Sequence, residues 1–125
     1  MKITATQAEP EALTGLAQEA AGLLATGRYD QLVQSFGYAL AFGRDLAEAI
    51  RTDLAACLAE LGATGLSKTP PSIRVSRFSP NSTALVALAE CTLPAEPSGC
   101  ILLELVVTAG EAQHHVTLEQ VTAVA

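Results

Sequence analysis

The sequence predicts an α+β fold: N-terminal helices packed on one face of a curved, cone-like C-terminal antiparallel sheet of four or more strands. Apolar residues recur at helical spacing only before Gly62. Beyond Pro70-Pro71 no helical period returns, and the chain alternates instead. Turn residues at Ser79-Pro80-Asn81-Ser82, between Pro94 and Gly99, and at Gly110-Glu111 then divide this second part into consecutive strands.

Pro10 suits a first helical position, and Leu13, Leu16, Ala17, Ala20, Leu23 and Leu24 follow at helical spacing until Gly27 stops the run. A short second helix puts Tyr29, Leu32, Val33 and Phe36 on one face and ends at Gly37. Residues 38–43 are apolar on both parities and bracketed by glycines, a pattern open to a short buried strand or a turn of helix, with the strand favoured. From Arg44, a stripe of Leu46, Ile50, Leu54, Cys57, Leu58 and Leu61 marks a third helix reaching Gly62. Asp45, Glu48, Arg51, Thr52 and Glu60 lie largely off that stripe. Strands are expected over Ile73 to Phe78, Thr83 to Leu93, Cys100 to Ala109 and Ala112 to Val124, as one antiparallel meander within a single domain, 1–125.

Seven Lys plus Arg stand against thirteen Asp plus Glu, a formal net charge of −6. Such a chain offers no positive surface to collect phosphates, which argues against nucleic acid and anionic membrane as partners. Residues 1–7 hold one cation and no apolar block, which is no secretory signal, so a cytoplasmic protein is expected. The uncharged stretch 31–43 contains Gln34 and Ser35 and is far short of the ~20 apolar residues of a spanning helix. Cys57, Cys91 and Cys100 are widely spaced, with no C-x-x-C pair, and read as packed thiols. Asn81-Ser82-Thr83 has the form of a glycosylation acceptor, but Pro80-Asn81 reads better as a turn.

A two-residue turn at Gly110-Glu111 sets Val107 opposite His114, Leu105 opposite Val116, Leu103 opposite Leu118 and Ile101 opposite Gln120. With Cys91 opposite Cys100, Glu90, Leu88, Val86 and Ala84 join the same, helix-covered face. The other face then carries Glu104, Thr108, His115, Thr117 and Glu119 among Leu85, Leu102, Val106 and Val121. That is more apolar than solvation requires and suggests an association surface.

Inside the concavity, Glu90, Gln120 and His114 are the polar groups to watch, because a buried donor or charge needs a partner. Glu90 and His114 are candidate bases. Their strand rows lie roughly 20 Å apart at ~3.3 Å per residue, too far to share a proton. His114 and His115 point to opposite faces and cannot chelate one ion, so no metal and no cofactor are expected. The loop Gly62 to Lys68 lacks the spacing of a phosphate-binding loop. Arg74 and Arg77, with Lys68, read first as protection of an edge strand.

The segment Gly27-Arg28-Tyr29-Asp30-Gln31-Leu32 resembles the Gly-x-Tyr/Trp-Asp-x-Leu signature on the second helix of nuclear-transport-factor-2-like proteins, of the cystatin-like α+β type, including small uncharacterised bacterial domains. The resemblance covers most of the chain. It implies helices and a curved sheet around a pocket, frequently a dimer through the sheet's outer face, and no single activity. Tyr29, Tyr38, Glu90 and His114 are the residues here that would line such a pocket, together with Gln120.

Three functions compete. The favoured one is a non-catalytic binding or protein-interaction domain, a homodimer through Leu85, Leu102, Val106, His115 and Val121, with room for a small apolar ligand. The alternatives are a small lyase or isomerase with Glu90 or His114 as base, and an acidic immunity-type neutraliser of a basic target.

Overall fold

Local stop and start signals set the helices. The computed structural model describes residues 1–79 and 83–125. Pro10 opens α1 (Pro10–Ala25), which buries Leu13, Ala17, Ala20, Ala21 and Leu24 before the chain turns at Gly27, φ 72°. Helix α2 (Tyr29–Phe36) buries Leu32 and Phe36. Helix α3 (Leu46–Leu61) buries Ala49, Ile50, Leu54 and Cys57. Its first turn is capped by Asp45, whose carboxylate accepts the Glu48 N–H at 3.0 Å. Replacing Asp45 by Ala is expected to lower unfolding free energy by about 1 kcal/mol in urea titrations; an unchanged midpoint would show that the cap contributes nothing.

Residues 38–43 form no strand. The chain makes a 3-10 turn at Ala39–Ala41. The Arg44 guanidinium takes the Leu40 and Ala41 carbonyls at 2.8 Å each, so those acceptors are satisfied by a side chain rather than a neighbouring strand. Phe42 follows with φ 50° and stands 81% exposed at the tip.

The strands are β1 (Lys2–Ile3), β2 (Gly65–Leu66), β3 (Ser72–Arg77), β4 (Leu85–Glu96), β5 (Cys100–Ala109) and β6 (His114–Val124). They pair antiparallel in the order β1-β6-β5-β4. The far edge of β4 is shared, with β3 along residues 87–92 and β2 along Ala95 and Glu96. The two-residue strands β1 and β2 are too short to show a period in sequence. Residues 80–82, with the expected Ser79–Ser82 turn and the Asn81 acceptor motif, fall outside the described residues.

The helices cover one face of this curled sheet, α1 lying on β3 and β4 and α3 on β5 and β6. The register of both hairpins differs from expectation. Between β5 and β6 the loop is residues 110–113, so Ala109 faces His114 and Val107 faces Val116. A slip of two residues keeps the faces as expected as far as Leu118. A bulge then intervenes: Leu105 faces Leu118 but Glu104 faces Gln120, with Glu119 extra. Gln120 is thereby turned outward and Val121 inward, where it is buried.

Between β4 and β5, Cys91 faces Leu103, not Cys100, and Pro94 faces Cys100. This slip is odd, so β4 is inverted: Ala87, Ala89, Cys91 and Leu93 point to the helices, Leu88 and Glu90 away. Two physical reasons favour the observed register. It keeps the Glu90 carboxylate out of an apolar core, and it sets small side chains beneath α1, where Cys91 Sγ lies 3.5 Å from the Ala17 carbonyl oxygen.

Candidate functional site

The concavity between helices and sheet is filled. Ile101, Leu103, Leu105 and Val107 of β5 meet Leu24, Leu32, Phe36 and Ile50 from the helices in one core, and no polar or charged side chain is fully buried among the described residues. A catalytic reading built on polar groups deep in that concavity has no support from this packing. Glu90 and Gln120 stand on the opposite, uncovered face.

His114 keeps the inward parity of Val116 but sits at the sheet's end, opposite Ala109 and Ile3. It borders a rim cleft of about 370 Å³ with Arg77, Phe78 and Leu85, and its Nδ1 is buried without a hydrogen-bond partner. Arg77 is engaged with Glu9 at 3.0 Å. Tyr29 lies half-buried under the Arg51 guanidinium, 5.4 Å from ring centroid to carbon.

Tyr38 belongs to a group that only the fold assembles. Its hydroxyl donates to Asp53 Oδ2 at 2.5 Å, and Arg44 grips both oxygens of the same carboxylate at 2.9 and 3.1 Å. The Arg44 bonds hold Asp53 below the usual carboxylate range. Burial, then the bond to Asp53, pushes the Tyr38 phenol up. With its carboxylate fully engaged, this group is a clamp on the 38–44 loop rather than an acid/base pair.

The uncovered face of the sheet carries the remaining candidates, because strand parity places alternate residues there. Rows run across it. Leu88 of β4, Val106 of β5 and Thr117 of β6 form one; Thr92, Leu102 and Thr122 form another. Between them lies a polar row of Arg74, Glu90, Glu104 and Gln120. Gln120 Nε2 donates to Glu104 at 2.6 Å, so amide and carboxylate do meet, on the outer face. Leu102, Val106 and His115 lie on this face as expected, and Leu88 joins them through the inverted register. Val121 leaves it for the core, and Leu85 sits at a second bulge, opposite Thr108. Two carboxylates directly opposite one another repel, and the Arg74 cation in the same row forms no ion pair with either among the described residues.

Cys91 faces inward and Cys100 outward, so this fold does not bring them together as a disulfide, and all three cysteines are free thiols. No helix among the described residues is long and apolar enough to cross a membrane. No group of three or more His, Cys, Asp or Glu side chains among them is arranged to hold a metal ion.

No known protein family matches the chain, and neither a curated protein nor a solved structure is significantly similar to it. Sequence reading missed the Tyr38–Asp53–Arg44 group and the Glu90–Glu104 row. The spacing of the first has no signature, and the second needs the correct register.

Proposed function

We propose that the protein is a cytoplasmic, non-catalytic interaction domain of the nuclear-transport-factor-2-like type that forms a homodimer through the outer face of its sheet. One observation carries this reading: the inner face of β5 is packed against the helices, while Leu88, Leu102 and Val106 on the other face have no second layer over them and stay only partly buried. Aliphatic side chains in the middle of a sheet face gain from burial by a second layer. At ~4.8 Å between strands and ~3.3 Å per residue, β3 to β6 offer a footprint of about 500 Å² per copy. Two copies approach the ~1,000 Å² of a small, dissociable interface. The polar row weakens the contact further, since a two-fold axis through its centre brings the carboxylates of both copies together.

Sedimentation equilibrium tests this directly. Wild-type protein is expected to dimerise reversibly, and Val106→Lys to be monomeric with its fold intact by circular dichroism. Glu90→Gln is expected to tighten the dimer by about tenfold, the equivalent of about 1.4 kcal/mol. A wild-type protein that stays monomeric at millimolar concentration sinks the proposal.

The acidic row also suits a basic partner, the second reading, since a Lys or Arg set between Glu90 and Glu104 relieves their repulsion. In that case Glu90→Gln weakens capture of the basic partner instead of tightening a dimer.

A further inference from the structure

A second concave surface lies on the helix side, away from the sheet's outer face. It is a cleft of about 580 Å³ between the C-terminal half of α1 and the loop that joins β2 to β3. That volume falls within the ~300–1,000 Å³ of small-molecule sites. Its floor reaches the core at Ala21 and Leu93, both buried. The far wall is Leu66 with Pro70 and Pro71, whose rings fix the backbone φ at two consecutive positions.

The cleft exists because α1 presents no bulk there. Gly22 faces it from the last turn of α1, at an exposed position where nothing lies within 4 Å of where its Cβ would be. The space is open, its lining is part apolar and part polar, and it reaches to two buried residues.

Its charge is as informative as its shape. In a chain of formal charge −6, the cleft is lined by one charged side chain, Lys68, and that one is a cation. Lys68 makes no ion pair among the described residues. Ser67 and Thr69 flank it. The Ser67 hydroxyl donates to Thr69 Oγ1 at 3.0 Å and accepts the Thr69 N–H at 3.1 Å, which leaves the Thr69 O–H available to a ligand. At the other end, Thr26 is already committed to the Gly22 carbonyl at 2.8 Å, and the helix C-terminus presents oxygen atoms that repel an anion. The loop end therefore takes negative charge and the α1 floor takes hydrocarbon.

We infer that this cleft binds a small amphiphilic anion, a carboxylate with an unbranched or flat apolar body, its head on Lys68 and Thr69 and its body along Ala21, Gly22 and Leu93. The site is separate from the outer sheet face, so its occupation is independent of the dimer proposed above.

Calorimetric titration with decanoate, decanol and decyltrimethylammonium tests the assignment. Decanoate is expected to bind at one site per chain. Decanol is expected to bind at least tenfold more weakly, and the cation not at all. Lys68→Gln is expected to weaken decanoate about tenfold, through loss of one charge-assisted contact, and Lys68→Arg to restore it. Gly22→Leu fills the cleft while improving helix propensity, so it is expected to abolish binding in a protein that melts no lower than wild type. Val106→Lys, on the outer face, is expected to bind decanoate as wild type does. No binding of decanoate below its micellar range overturns the inference. So does equal binding of all three amphiphiles, or a Gly22→Leu protein that still binds.

Discussion

Leu103→Ala is expected to destabilise the protein by about 3 kcal/mol, and Leu102→Ala, one residue away, by less than about 1 kcal/mol. Leu103 is 0% exposed on the central strand β5, between Cys91 and Val121, where truncation leaves a void that the surrounding strands and helices cannot close. Leu102 lies on the other face between Thr92 and Thr122, where it is only partly buried and no helix covers it, so its truncation removes less packing within one copy. Its effect is expected on association instead. Urea titrations at protein concentrations too low for dimers separate the two. Equal losses at both positions would mean that the two faces of β5 are equally covered, and the architecture described above would have to be abandoned.

Alkaline pH is expected to unfold the protein through its buried thiol. Burial pushes Cys91 up to about 12 from an ordinary value of 9.0. The folded protein therefore keeps the proton that the unfolded chain releases above pH 9. Stability is intact below that pH and falls by about 1.4 kcal/mol per unit as pH rises towards 12, roughly 4 kcal/mol in all. Tyr38, also raised by burial and its bond to Asp53, adds to the loss in the same direction above pH 10. Cys57 is raised by burial as well. Unfolding free energies between pH 7 and 11 check this, with Cys91→Ala expected to flatten the slope by about one proton while lowering stability at pH 7 by about 1 kcal/mol. A slope that Cys91→Ala leaves unchanged assigns the alkaline loss to other groups.

The helices were legible because their signals are local. Pro10, Gly27 and Gly62 each act within one turn of the backbone, and none needs a distant partner to do so; the Asp45 cap, equally local, reads in the sequence as one more polar residue off the stripe. The strands were legible as strands, but their faces were not. On β4 the inward residues are Ala87, Ala89, Cys91 and Leu93, whereas the outward set contains Glu90 and Thr92, so hydrophobicity agrees with the observed side; the expected pairing of Cys91 with Cys100 points to the other. The closeness of α1, a long-range contact that needs small side chains, supports the same register. On β6 the inward residues run 116, 118, 121, 123, and no two-residue period survives the extra Glu119.

The candidate residues scattered for the same reason. Glu90 and Gln120 changed face with their strands, whereas Tyr29 and Tyr38 kept their helical or loop neighbours. Tyr38 found Asp53 because the 38–44 loop folds back on α3, fifteen residues on, which no periodicity records. Leu102, Val106 and His115 were placed correctly because β5 and the start of β6 keep their parity.

The exposed edge of the sheet bears on how far copies can accumulate. Strand β3 pairs with β4 on one side only, and it carries Arg74 and Arg77. A second β3 laid alongside would set like charges against one another along an open row of amides, so growth by edge addition is disfavoured. Contact through the flat of the sheet, by contrast, is used up once two copies meet. If the proposed contact through the sheet face forms, it ends in a closed pair in place of an open-ended fibre.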